Sequence, residues 1–224
     1  MSQGSRKELE ILGQVFQRIH RFQEKYWRDG LDLSGSSVSQ ATMENYQSIS
    51  AVVCYPIKTK ELDEIIKAAR EDGNLQLEVG NLFLPPLDLN KEFIPILSVN
   101  CDYRTTPPSM RLCVGMFSLD KKRELEVFSF RFETGNSPSN HDYCHAQFVR
   151  RFRREGDGVS FSSLPDWVPE TYPCILVPAN NPISLIFCML LSFYGKNAWQ
   201  RMLSDLNIDG KYFATFRLLN VMNN

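Results

Sequence analysis

The chain has 224 residues, 43% of them hydrophobic and 12% aromatic, and a formal net charge of −1. That aromatic content excludes a disordered chain, and the length suffices to bury a core without a metal or a disulfide. A near-neutral balance removes any overall pull toward nucleic acid or an anionic membrane.

The first element predicted is a long helix over residues 5 to 28, where Leu9, Leu12, Phe16, Ile19, Phe22 and Tyr26 recur at three- and four-residue steps. Gly30 stops it, and Leu31–Gln40 is a Ser/Gly-rich loop. Residues 48 to 57, centred on Ala51–Tyr55, read as a short strand closed by Pro56. Thr59 is placed to cap a helix over Lys60–Glu71, with Glu61, Asp63 and Glu64 in its first turn and Gly73 at its end.

A β-rich stretch follows. Leu75–Phe83, Pro95–Arg104, Arg111–Leu119 and Leu125–Thr134 are predicted strands. In the last, Val127, Ser129, Arg131 and Glu133 alternate with Phe128, Phe130 and Phe132, which predicts one wet face and one buried face. Asp120–Arg123 is a charged turn, Gly135–Asn140 a loop, and His145–Arg153 the next strand of a meander. After a polar connection, Tyr172–Pro178 is a short apolar strand. Asn181 with Pro182 behind it starts a mostly apolar helix, Ile183–Tyr194, which Gly195 ends. Asn197–Leu206 is a second helix and Lys211–Met222 a final strand or short helix.

The expected fold is α+β: an antiparallel sheet of four to six strands, helices packed on one face and a long N-terminal helix. Residues 1–224 read as a single domain, with residues 1–30 a helix that docks as an arm.

Six cysteines (Cys54, Cys101, Cys113, Cys144, Cys174 and Cys188) are scattered without a C-x-x-C pair, most of them in apolar stretches. With a polar, charged Ser2–Leu9 in place of a secretory signal, a reducing cytoplasmic setting is expected. The longest apolar run, Ile183–Leu191, falls far short of the ~20 residues of a membrane span, so no membrane partner is expected.

His141-Asp142-Tyr143-Cys144-His145 is the sharpest local feature. On a helix His141, Cys144 and His145 share a face and could ligate zinc; on a strand only His141 and His145 do. The plainer reading is a polar loop feeding a strand, with Cys144 and His145 on opposite faces and unable to form a nucleophile–base pair. The second feature is Arg150-Arg151-Phe152-Arg153-Arg154; together with Arg131 it lies in a stretch from Lys121 to Arg154 with net charge +4. On a wet sheet face these arginines would hold phosphates, whereas the plainer reading is an edge strand guarded by charge. Strand carboxylates Glu78, Asp102, Glu126 and Glu133 lack a neighbouring Glu-x-Lys, so exposed strand acids are the expectation. No phosphate loop, dinucleotide fingerprint, nucleophile elbow, zincin motif or EF-hand loop occurs, and no cofactor is expected.

The pattern His141-x-x-x-His145, then Tyr172-Pro-Cys-Ile-Leu-Val-Pro178, then Pro182 and an apolar helix ending Phe193-Tyr194 resembles an uncharacterised bacterial family of similar length, a domain of unknown function found beside phage-defence genes. The resemblance covers about a third of the chain and supplies no catalytic residues. It implies a bacterial accessory or defence protein.

Two functions are therefore expected to compete. The first is a non-enzymatic accessory protein that binds another protein chain through the helix stripe Phe16, Ile19, Phe22 and Tyr26. The alternative is a nucleic-acid-binding module or metal-dependent nuclease, with Arg131, Arg150, Arg151, Arg153 and Arg154 on phosphates and His141 and His145 on a metal.

Overall fold

The computed structural model describes residues 3–30, 37–71, 74–86, 93–119, 125–134, 144–149, 151–153, 160–162, 175–179 and 181–204. Helix α1 (Gln3–Asp29) buries its stripe: Leu9, Leu12, Val15, Phe16 and Ile19 are at most 1% exposed. They pack against α3 (Thr59–Arg70), α4 (Pro182–Leu203) and one face of the sheet. Gly13 permits the close crossing of α1 and α3, since a β-carbon there would stand 2.7 Å from Cγ2 of Ile66.

Helix α2 (Gln40–Val52) runs from the end of the predicted loop, through residues 41–47 to which no element was assigned, into the first half of the predicted strand. Ser39 caps it, its hydroxyl accepting from the Thr42 amide at 3.2 Å. The β-branched and aromatic run from Val52 to Tyr55 mimics a strand. Ile49 and Val53, however, lie one helical turn apart and are both buried, which satisfies the helical period. At α3 the cap position belongs to Lys58, which makes no side-chain bond there. Thr59 is the first helical residue, and its hydroxyl donates to Glu24 Oε1 at 3.0 Å.

The strands are β1 (Gln76–Phe83), β2 (Ile94–Asp102), β3 (Ser109–Leu119), β4 (Leu125–Glu133), β5 (His145–Phe148), β6 (Arg151–Arg153), β7 (Ser160–Ser162) and β8 (Ile175–Leu176). Six form one antiparallel sheet in the order β1-β2-β3-β4-β5-β8, so the α+β architecture with a long N-terminal helix stands. Successive strands are neighbours from β1 to β5, the arrangement that short connections favour. The predicted strand over His145–Arg153 divides: β5 stays in the sheet, while β6 pairs with β7 in a separate two-stranded ribbon.

That division gives the sheet two differently covered faces. On the first, Leu77, Val79, Leu97, Val99, Leu112, Val114 and Phe132 meet α1, α3 and α4. On the second, Phe83, Ile94, Ile96, Phe117 and Val127 pack under Ile49 and Val53 of α2, the end of α1 at Tyr26 and Trp27, and Phe152 of the ribbon. Three helices thus share one face and α2 adds a layer on the other. The alternation in β4 is correspondingly less clean than expected: Val127 and Ser129 are buried beneath the ribbon side, and Phe128 is exposed.

Asn181 caps α4 as predicted, its Oδ1 accepting from the Ser184 amide at 2.9 Å, with Pro182 in the first turn. Gly195, with φ +68°, breaks the helix, which resumes to Leu203. The predicted Lys211–Met222 element lies outside the described residues. Among the described residues no helix is long and apolar enough to cross a membrane.

Candidate functional site

Strand register assembles a charged cluster on the second face, beyond the edge of the α2 and ribbon cover. Arg111, Glu133 and His145 stand in one cross-strand row on β3, β4 and β5, and Cys113, Arg131 and Gln147 stand in the next. Side chains directly opposite across antiparallel strands meet, so the rows bring these groups into contact. Glu133 is the hub. Its Oε1 accepts from Arg111 Nε at 2.5 Å, its Oε2 accepts from Arg131 Nε at 3.1 Å, and His145 Nε2 stands 3.5 Å from Oε2. Gln147, with its amide oxygen toward Arg131, accepts from that guanidinium. At the end of β2, Arg104 forms a forked pair with Asp102, Nη2 to Oδ2 at 2.6 Å and Nε to Oδ1 at 2.9 Å. The Asp102 carboxyl is held below its ordinary value, first by the Arg104 side-chain bond and further by the Arg104 backbone amide and charge, against a smaller opposing effect of burial.

This cluster limits the chemistry available. A carboxylate already engaged by two guanidiniums and facing an imidazole has its oxygens occupied in bracing three strands. Among the described residues of this face, Arg104, Arg111 and Arg131 are balanced by Glu78, Asp102 and Glu133, so these offer no surplus of positive charge for a phosphate track. Arg131 is one of the predicted phosphate contacts and His145 one of the predicted metal ligands, and the structure brings them together through Glu133. Arg111 and Gln147 escaped sequence reading because their place depends on register.

The remaining predicted residues separate. Arg151 is exposed on β6, opposite Ser162 in the ribbon, so it does not extend the sheet face that carries Arg131. The cause is Phe152, whose ring is 2% exposed and draws this segment over the second core. Arg153 lies on the same strand, and Arg150, Arg154 and His141 lie outside the described residues. Among the described residues no group of three or more His, Cys, Asp or Glu could hold a metal. Cys144 belongs to the helix-side core whereas His145 faces Glu133, so the two look in opposite directions, as strand geometry requires.

The helix stripe requires a correction. Phe16 and Ile19 are fully buried, Tyr26 is 4% exposed and Phe22 packs partly against the core. This stripe holds α1 onto the body of the protein, and of its four members only Phe22 keeps part of its surface accessible.

A different apolar surface emerges on the first face, at the edge of the sheet away from β1. Phe128 and Phe130 on β4, Phe148 on β5 and Ile175 on β8 share that face by register. Phe128 is 45% exposed, Phe148 37% and Ile175 59%, while Phe130 bridges Phe148 and Phe193 of α4. Phe93 meets Phe128 edge-on at 5.7 Å. No known family model, curated protein or solved structure matches the chain.

Proposed function

We propose that this chain is a non-enzymatic accessory protein that acts by binding another protein, and that the partner seats on the Phe128–Phe148–Ile175 strip. The carrying observation is that three large apolar side chains from three neighbouring strands stand exposed on one face. Scattered exposed apolar residues are ordinary, but a contiguous strip beside a sheet edge is the usual mark of an interface. The edge strand β8 also carries Leu176, 68% exposed, on the opposite face of the sheet beside His145, so β8 shows an apolar side chain on both faces. The balanced charge on the opposite face favours a protein partner over a polyanion. The resemblance noted above supports a role in bacterial antiviral defence, and the scattered cysteines support a cytoplasmic location.

The test is a Phe128→Glu/Ile175→Glu double variant, compared with the parent in pull-down from the native host followed by size-exclusion chromatography. The double variant is expected to keep its melting temperature and lose the partner chain that the parent retains. A parent that elutes alone, or a variant that retains the same partner, sinks the proposal.

A further inference from the structure

Strand β1 is one edge of the six-stranded sheet, and its pairing with β2 decides where its outer backbone groups point. The Tyr103 amide donates to the Leu75 carbonyl at 2.9 Å, one step along the register that sets Gln76 opposite Asp102. Bonded and non-bonded positions alternate along an antiparallel pair. Leu77 and Val79 therefore turn their backbone groups to Cys101 and Val99, and Gln76, Glu78 and Gly80 turn theirs away from β2. Past Gly80 a bulge shifts the register, and the Asn81 carbonyl accepts from the Ile57 amide at 3.0 Å, which closes that end of the edge. Among the described residues, Gln76, Glu78 and Gly80 have no backbone partner on the outer side. An unpaired strand edge of this kind is a template for a further strand.

The open stretch is accessible. Glu78 is exposed, and Gly80, whose whole surface is backbone, is half-buried. A β-carbon on Gly80 would meet nothing within 4 Å. Glu78 heads the charged row that runs through Asn100, Arg111 and Glu133 on the second face. Arg111 is drawn across to Glu133, and among the described residues no cation pairs with Glu78.

These features choose the occupant. Opposite charges facing each other across a strand pair support it, and like charges weaken it. A second copy of β1 laid antiparallel with Glu78 against Glu78 is disfavoured, whereas a basic residue facing Glu78 is favoured. A glycine on an edge strand is completed by an aromatic ring laid over it from the neighbouring strand. Every pair in this sheet is antiparallel. In that sense the residue facing Gly80 comes two positions before the one facing Glu78.

We infer that the Gln76–Gly80 edge of β1 takes an extended segment of a partner protein as an added antiparallel strand, with a Lys or Arg facing Glu78 and an aromatic residue two positions earlier facing Gly80. This edge lies at the end of the sheet away from β8, so it and the Phe128–Phe148–Ile175 strip stand or fall separately.

The experiment is a titration of the isotope-labelled full chain with the acetylated, amidated peptide Thr-Thr-Tyr-Val-Lys-Val-Thr, read by backbone amide NMR and hydrogen exchange. The same peptide with Glu in place of Lys is the control. The expected result is a saturable shift and slowed exchange at the amides of Gln76, Glu78 and Gly80, with the control binding roughly tenfold more weakly. Glu78→Lys, a change at an exposed side chain, should reverse the preference between the two peptides. Absence of saturable binding by the lysine peptide, protection centred on other strands, or a preference that Glu78→Lys leaves unchanged overturns the inference.

Discussion

The ring of Phe152 meets the ring of Phe117 edge-on, with centroids 5.3 Å apart, directly above the backbone of Gly115. A β-carbon on Gly115 would lie 2.5 Å from Cε2 of Phe117 and 2.8 Å from Cδ2 of Phe152. The ribbon strand β6 can lie on the sheet only because β3 has no side chain at this point. Gly115→Ala should therefore cost about 1–3 kcal/mol, the usual penalty for extra atoms in a filled core. Thermal unfolding would read this as a loss of roughly 2–4 °C per kcal/mol for a chain of this length. An unchanged melting temperature would mean that the ribbon does not seat where Phe152 places it.

The buried stripe of α1 makes a second, opposite claim about a helix that sequence alone offered to a partner. Phe16 has no exposed surface and belongs to the main core. Phe16→Ala should cost about 3–5 kcal/mol, and Phe16→Glu should unfold the protein outright, since an unpaired charge would be buried. Circular dichroism and urea unfolding of the two variants check this. A Phe16→Glu variant that stays folded with native stability would return the stripe to the surface.

The α1 stripe, the strands β1 to β4 and the Asn181–Pro182 cap were legible because each is a local pattern: a period of 3.6, a period of two, or a cap followed by proline. The stripe's burial was not legible, because a periodic apolar face reads the same whether the chain's own core or another chain covers it. Helix α2 was misread because Val52, Val53 and Tyr55 have the composition of a strand, and only tertiary contact with Phe83 and Phe117 selects the helical pairing of Ile49 with Val53. The Glu133 cluster was visible as separate letters. Arg111 and His145 lie 34 positions apart in the chain, and only the β3–β4–β5 register sets both beside one carboxylate.

The thiols should react in an order set by burial. The five described cysteines are thiols outside any disulfide. Burial, with Asp102 and Glu8 adding to it, pushes the Cys101 thiol far above the ordinary range, and burial chiefly, with Cys144, pushes Cys188 up to about 12. The thiolate is the reactive species, so both should resist iodoacetamide in the native protein. Cys113 is half-buried on the charged face and should be labelled before either. Peptide mass spectrometry of briefly treated, mildly alkaline samples checks the order. Early labelling of Cys101 or Cys188 would show that the main core opens far more readily than its packing implies.

Stability should also depend on pH through His20. Its folded pKa lies below the ordinary 6.5, chiefly because burial disfavours the charged ring, with Glu24 on its own helix and Asp63 on α3 opposing that effect. The unfolded chain therefore takes up a proton near 6.5 that the folded chain refuses until the pH is lower. By linkage, this part of the stability is fully present above that value and is lost as pH falls below 6.5 toward the folded pKa. One proton can contribute no more than about 1.4 kcal/mol per pH unit. His20→Gln removes the titrating group, so its melting temperature should fall less steeply than the parent's between neutral and mildly acidic buffer. Parallel curves for the two proteins would assign the acid sensitivity to other groups and show that His20 is not held neutral by its burial against Thr59 and Glu24.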